Sequence, residues 1–213
     1  MLRSTIAAVL LLSTILCGCA AHAALPRPEI DEAAVTGPQE AVFGAGCFWT
    51  VEAVFAALKG VNAATPGYAG GDSADAHYEL VASGETNHAE SVRVTYDPSK
   101  ITYAQLLQVF FGIAHDPTQK DRQGPDWGRQ YRSVIFYAND GQKRTAESYI
   151  HQLTAAKTFR SPIVTELAPL KAFYPAEPEH RDFVKLHPQD PYVLAHWPDK
   201  QSHLKSEYPT LLR

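Results

Sequence analysis

The chain is poor in sulfur. Its 213 residues hold three cysteines and one methionine, and two of the cysteines, Cys17 and Cys19, sit in the N-terminal leader. Cys47 is the only thiol beyond them, which excludes a disulfide framework in the body of the chain. There is no second cysteine to pair with Cys47, and the nine histidines show no metal-binding spacing on a helix. A zinc site is therefore not expected. The one methionine is Met1, so a chain that has shed its leader has no internal target for oxidation to the sulfoxide. Runs of like charge are also absent. A net charge of -4 gives no electrostatic reason to expect nucleic acid. No internal repeat or low-complexity tract appears beyond a loose Ala/Pro-rich stretch from Ala20 to Pro38.

What is present is an ordinary globular balance, 45% hydrophobic and 20% charged, with enough chain for one well-buried domain. Residues 1–23 read as an export signal. Arg3 supplies the positive start and Thr5 to Leu16 is almost wholly apolar. That run is too short for a bilayer span, which takes ~20 residues. Two processing sites compete. Ala21-His22-Ala23 fits cleavage of a freely exported protein, giving a periplasmic location. Leu16-Cys17-Gly18-Cys19 resembles a lipobox, which would lipidate Cys19 and anchor the chain in the bacterial envelope. The only membrane association expected is through that anchor. Residues 24–39 read as a linker, and residues 40–213 as the folded domain.

Ala41 to Ala45 reads as a short buried strand, and Phe48, Val51, Phe55 and Leu58 mark one helical face closed by Gly60. Pro66 to Gly71 is turn-rich; His77 to Val81 is ambiguous. Ser91 to Tyr96 alternates cleanly, with Val92, Val94 and Tyr96 on one side. Tyr103 to Phe111 and Gln142 to Lys157 read as helices, Tyr131 to Tyr137 and Ile163 to Leu167 as strands. Beyond these, periodicity is weak, and the tail is expected to be irregular and to wrap the surface. Strands and helices alternate with some strand-to-strand neighbours. The fold class is therefore α+β, a two-layer α/β sandwich with a ferredoxin-like, split βαβ core.

Cys47 lies where an apolar strand turns into a helix, a place where amide dipoles favour a thiolate. It is a candidate nucleophile, or else a buried structural cysteine. Glu90 shares a strand face with Val92 and Val94. A carboxyl on a buried face has a raised pKa and can act as a general acid; a strand-end glutamate reaching solvent is the plainer reading. Asp126 and Tyr131 bracket a Gly- and Pro-shaped loop of the kind that carries site residues, although they also suit a turn and a core. Tyr78 could offer its hydroxyl or simply pack. His115-Asp116-Pro117-Thr118 reads as a helix end as readily as a catalytic segment.

Together the motifs resemble the A-type peptide methionine sulfoxide reductase family. They are Gly46-Cys47-Phe48-Trp49, Gly67-Tyr68-Ala69-Gly70-Gly71 and Gly84-Glu85-Thr86-Asn87-His88-Ala89-Glu90. His115-Asp116-Pro117-Thr118, Asp126-Trp127-Gly128-Arg129-Gln130-Tyr131-Arg132-Ser133 and Phe173-Tyr174-Pro175-Ala176-Glu177 continue the series. The resemblance runs from about Val42 to the C-terminus. It implies that Cys47 attacks the sulfoxide sulfur and that Glu90 protonates the oxygen. Tyr78 and Tyr131 would hold that oxygen, Phe48 and Trp49 would form the pocket for the S-methyl group, and Asp126 would join the polar network. The implied substrate is the S epimer of methionine sulfoxide, free or in proteins. No bound cofactor is implied, only an external thiol reductant, a thioredoxin-like protein or a small thiol.

The chain departs from the family pattern in its tail, which has no resolving cysteine from Phe48 to Arg213. It resembles the single-cysteine branch, in which an external thiol reduces a Cys47 sulfenic acid directly. Arg129 stands where many members of the family have a small residue, and Trp127 beside it is also bulky; either could alter access to the site. Two other readings stay open at this level. One is a cysteine-histidine hydrolase using His88, His115 or His180 as base. The other is a non-catalytic envelope binding protein whose aromatics line a ligand pocket.

Overall fold

The computed structural model describes residues 24–33 and 35–213. The export signal, its cleavage sites and Cys17 and Cys19 lie outside the described residues. In chain order the elements are β1 (Gln39–Ala45), α1 (Phe48–Ala56), β2 (Val61–Ala69), α2 (Tyr78–Ser83) and β3 (Ala89–Tyr96). Then come α3 (Tyr103–Val109), continued by a π-helical turn over Phe110–Ala114, the short hairpin β4 (Arg122–Gln123) and β5 (Asp126–Trp127), and β6 (Ser133–Tyr137). The chain ends with α4 (Asp140–Ala155), β7 (Glu166–Pro169), β8 (Phe173–Pro175), α5 (Phe183–Leu186) and α6 (Pro191–Glu207).

The main sheet has the order β7-β6-β1-β3-β2-β8. Its four central strands run antiparallel to one another, so β1 and β2 are parallel with β3 inserted between them; β8 adds antiparallel to β2 at one edge and β7 parallel to β6 at the other. This is the split βαβ arrangement expected from the sequence. Alternation decides which side chains meet the helices. Phe43, Val92, Val94 and Ile135 face the main core; Val42, Val134 and Phe136 form a smaller cluster on the other face under Ala168, Leu170 and Phe173. Phe43 sits at the centre of the main core, its ring 5.2 Å from Phe55, 5.0 Å from Phe110 and 6.2 Å from Tyr103. Local caps set the helix starts. Thr102 and Gln105 form a reciprocal capping box on α3, and Asn139 accepts from the Gln142 N–H at the start of α4.

Three expectations need correction. The Pro66–Gly71 stretch is not a turn: β2 continues through it to Ala69, with Pro66 opposite Val92 and Gly67 opposite Ser91. Pairing on both sides overrides the turn preference of these residues. Gly67 is there because a Cβ would run into the Tyr174 carbonyl of β8. Tyr131 does not open the next strand but closes a 3₁₀ turn, and β7 is displaced to Glu166–Pro169. The tail does more than wrap. β8 extends the sheet, and α6 is a 17-residue helix that buries Val193 and Leu204. Its mostly polar sequence, with Pro198 inside, hides its period. Its start is nonetheless marked: Asp190 caps the N–H groups of Tyr192 and Val193, and Pro191 occupies the first turn.

The stretch read as a linker is irregular but docked. Leu25 N–H donates to the Tyr208 hydroxyl (3.1 Å), Gln108 donates to the Leu25 carbonyl (3.0 Å), and Tyr149 donates to the Pro26 carbonyl (2.8 Å). Ala104 N–H reaches Asp31 (3.1 Å) and the Tyr96 hydroxyl reaches Glu32 (3.2 Å). Among the described residues no helix is long and apolar enough to cross a membrane.

Gly67→Ala should force β8 off the edge of β2, since backbone rather than a flexible side chain fills the space. The expected cost is about 1–3 kcal/mol, the range for overpacking. Urea unfolding would measure it, and limited proteolysis should show new cleavage near Phe173.

Candidate active site

β1 delivers Cys47 to the base of the site. Gly46 takes φ +82°, a left-handed value that turns the chain from strand to helix, and a Cβ there would lie 2.6 Å from Gln123. Cys47 becomes the N-cap of α1 (φ -57°, ψ 121°), half-buried, with its thiol not engaged in capping. Burial pushes that thiol well above its ordinary range, and the Glu90 charge opposes ionisation further. The Tyr192 hydroxyl and the Trp49 backbone N–H, both beside the sulfur, work the other way.

Glu90 enters from β3, directly opposite Tyr68 on β2 and only 2% exposed. Its Oε2 accepts from the Phe48 N–H at 3.0 Å, the first amide of α1 after the cysteine. This single bond ties the Glu90 carboxyl to the helix that starts at Cys47. Burial pushes the carboxyl up to about 8, with the Phe48 N–H partly offsetting it and Asp126 adding to it. Glu90 is therefore protonated at neutral pH, and the charge that opposes the thiolate is then absent.

The remaining sequence-predicted residues converge on these two. The hydroxyls of Tyr78 and Tyr131 are each raised by burial first and then by the charge of Glu90 and Cys47. Tyr78 is set by the tail: Glu177 accepts from the Tyr78 N–H (3.0 Å) and from the Tyr68 hydroxyl (2.7 Å). Asp126 accepts from the Tyr192 hydroxyl at 2.7 Å. Phe48 is 1% exposed and stacks with Tyr78, centroids 6.4 Å apart. Trp49 is half-buried and lies flat on Phe183, centroids 3.7 Å apart and planes 7° apart, with Tyr192 edge-on at 5.7 Å. The result is an aromatic floor and wall beside a thiol, an acid and two phenols.

Arg129 turns away from these groups, paired with Asp121 and Glu166 at 3.3 Å each. Trp127 is 67% exposed, under the Arg122 guanidinium at 4.1 Å. Arg132 is buried instead. It donates to the carbonyls of Asn87, His88 and Arg129 and pairs with Glu166, fixing the loop that leads into Glu90.

None of the three candidate histidine bases points at the thiol. His88 accepts from the Gly71 N–H and binds the Asp72 carbonyl; His180 accepts from the Trp49 indole at 3.2 Å. His115 is held between the Phe110 carbonyl and Ser133, and burial pushes it down to about 3, so it stays neutral. Each has a structural task, which removes the base that a hydrolase needs. No group of three or more His, Cys, Asp or Glu among the described residues could hold a metal ion.

Tyr192 and Phe183 were not found from sequence. Both belong to the tail, and only the Asp190-Pro191 helix start signalled that a structured element lay there.

Residues 39–211 match the family described as Peptide methionine sulfoxide reductase. A relative from Mesorhizobium japonicum named Peptide methionine sulfoxide reductase MsrA 2 is 53% identical over 182 residues, covering 85% of this chain and 93% of its own. One of the same name from Synechocystis is 45% identical over 89% of this chain and 90% of its own. Among solved structures, reduced Mxr1 from Saccharomyces cerevisiae superposes with a TM-score of 0.68 at 30% identity, over 79% of this chain and 96% of that one. Methionine sulfoxide reductase A of Corynebacterium diphtheriae gives 0.63 at 35% identity, over 79% and 86%. A thiol at a helix start, facing a buried protonated acid across an aromatic floor, defines a thiol-based oxidoreductase site. The chain belongs to the peptide methionine sulfoxide reductase family and is a methionine sulfoxide reductase.

The Glu90 carboxyl predicts a pH signature in stability. Its folded value, about 8, exceeds the ordinary 4.5, so the native state binds the extra proton. The stability this confers is complete below pH 4.5 and is lost as pH rises through about 8. Glu90→Gln should remove that slope, so parent and variant should diverge over this window by an amount on the order of a few kcal/mol, at about 1.36 kcal/mol per unit. Denaturant unfolding of both proteins at several pH values would show it.

Proposed function

We propose that this chain reduces the S epimer of methionine sulfoxide, free or within proteins, by a single-cysteine cycle. The observation that carries the reading is the bond from the Phe48 N–H to the buried Glu90 carboxyl, which sets an acid beside the Cys47 helix start. Sulfoxide oxygen accepts hydrogen bonds well but leaves poorly unless protonated. Oε2 of Glu90 takes the amide, leaving Oε1 to carry the proton. Tyr78 and Tyr131 hold the oxygen, and Phe48 and Trp49 receive the S-methyl group, since sulfur and methyl pack well on rings. Asp126 orients the Tyr192 hydroxyl.

In the step itself, Cys47 sulfur attacks the sulfoxide sulfur while Glu90 gives its proton to the oxygen. The S–O bond then breaks, oxygen passes to Cys47, and methionine leaves as the thioether. Methionine sulfoxide and a thiol become methionine and a sulfenic acid, a rung that thiols reverse. Two equivalents of an external thiol return Cys47 to the thiol, releasing water and a disulfide. A thioredoxin-like protein or a small thiol suits this role because the tail offers no resolving cysteine. No bound cofactor takes part.

Residues 1–23 are read as an export signal, which would place the catalytic domain, residues 40–213 with the docked stretch 24–39, in a bacterial periplasm. Lipidation at Cys19 would instead fix it to the envelope. Repair of oxidised exported proteins would follow from either location.

Single-turnover reaction with each epimer, without reductant, tests the reading. One methionine per enzyme from the S epimer only, with sulfenic acid trapped at Cys47, is the expected result. Methionine from the R epimer, or none from either, would overturn it. Cys47→Ser should abolish turnover. Glu90→Gln should slow the first step about 10²–10⁴-fold, as loss of a general acid does. In the parent the rate should fall as pH rises through about 8, where Glu90 loses its proton, and the Gln variant should lack that limb.

A further inference from the structure

Glu52 is a buried carboxyl that the proposed reaction leaves without a task. It is 5% exposed and lies three residues after Trp49 on α1, so both side chains reach the same stretch of tail. That stretch, from His180 to Phe183, meets α1 at three points. His180 Nδ1 accepts from the Trp49 indole N–H at 3.2 Å, Phe183 lies flat on the indole with centroids 3.7 Å apart, and the Asp182 N–H donates to Glu52 Oε1 at 3.0 Å. Burial pushes the Glu52 carboxyl up to about 7; the Asp182 and Phe183 amides and the Arg181 charge act against the rise, and the Asp182 charge adds to it. Protonated or ionised, the group keeps an oxygen that accepts the amide.

The turn at Asp182 needs such a hold. Its φ of +54° and ψ of 25° are left-handed, a conformation that is uphill for a residue with a Cβ, and its own side chain makes no cap on α5. A cavity of about 320 Å³ adjoins the contact, lined by Glu52, Ala56, Asp182, Val184, Lys185 and Trp197 among others. Packing therefore does not wedge the segment in place on that side, and the bond to Glu52 is what fixes the turn that carries Phe183.

We propose that Glu52 is a positioning residue for the substrate pocket: through the Asp182 amide it holds Phe183 flat against Trp49, and so sets how tightly the site takes a methyl sulfoxide. This rests on Trp49 receiving the S-methyl group. With one face of the indole covered and its N–H taken by His180, Trp49 is held in one orientation. Phe183 is the residue directly after the left-handed turn, so relaxation of Asp182 toward a right-handed conformation swings its ring off the indole. The bonded partner of Glu52 is a tail amide rather than Cys47 or Glu90, so its loss falls on binding and spares the bond-breaking step.

Binding is read apart from chemistry in a Cys47→Ser background, as the Kd of the S epimer of N-acetylmethionine sulfoxide amide. Glu52→Leu, which fills much the same space without an acceptor, should weaken binding about three- to tenfold, the scale of one aromatic contact. Glu52→Gln keeps an oxygen for the Asp182 N–H and should stay near the background protein. Phe183→Leu should weaken binding as Glu52→Leu does, and the double variant should be no worse than either single, because both act through one contact. Additive losses would overturn the proposal, as would Glu52→Leu binding like the background or Gln binding no better than Leu. Without any ligand, the Trp49 indole N–H, assigned by NMR of nitrogen-labelled protein, should exchange faster with solvent in Glu52→Leu; unchanged exchange would also overturn it. If the Leu variant does not fold, Glu52→Asp, which draws the acceptor back by one methylene, takes its place with the same expectations. A background protein that does not bind the sulfoxide would sink both this role and the pocket assigned to Trp49. One that binds it, beside a parent that forms no methionine, would sink the proposed reaction alone, and the variants would still decide the role of Glu52.

Discussion

The bond between the Phe48 N–H and the Glu90 carboxyl joins the two halves of this molecule's chemistry. It crosses from β3 to the first turn of α1, so it also joins the sheet to the helix that starts at Cys47. Each group depends on the other. The amide at a helix start has no partner within its own helix and needs an acceptor. The carboxyl, taken out of water, needs a donor to remain there. Because one amide only partly offsets burial, Glu90 keeps its proton at neutral pH. A second strong donor would lower it into the ordinary carboxylate range and remove the acid.

The rest of the fold keeps that geometry in place. Arg132 fixes the loop before Glu90, and Gly46 turns the chain just before Cys47. Glu177 holds Tyr78 and Tyr68, and it is placed there by β8 pairing along β2. The tail closes the remaining side with Phe183 beneath Trp49 and Tyr192 beside the thiol. A region without a cysteine therefore supplies aromatic packing and a hydroxyl to the cysteine of another region.

This arrangement assigns different work to groups that look alike in sequence. Tyr78, Tyr131 and Tyr192 all converge on Cys47, yet the Tyr192 hydroxyl is committed to Asp126, while the first two are the ones proposed to meet a substrate oxygen. His88, His115 and His180 resemble bases on paper. Each is instead consumed by backbone or indole contacts, and burial keeps His115 neutral.

Much of this was legible in the chain itself. Period-two and helical patterns at Ser91–Tyr96, Phe48–Leu58 and Tyr103–Phe111 specified the split βαβ core, because there side chains alternate between one packed face and another. The isolation of Cys47 and the strand parity of Glu90 marked the candidate nucleophile and the candidate acid for the same reason: both are local consequences of where a residue falls in its own element. What the sequence could not fix was anything decided by contact between distant segments. Pro66 and Gly67 became strand because β3 and β8 flank them, and the polar α6 became a wall of the site because its few apolar residues found the core. Only tertiary structure set Tyr192 and Phe183 around a thiol more than a hundred residues away, since burial and stacking exist only once those segments are packed together.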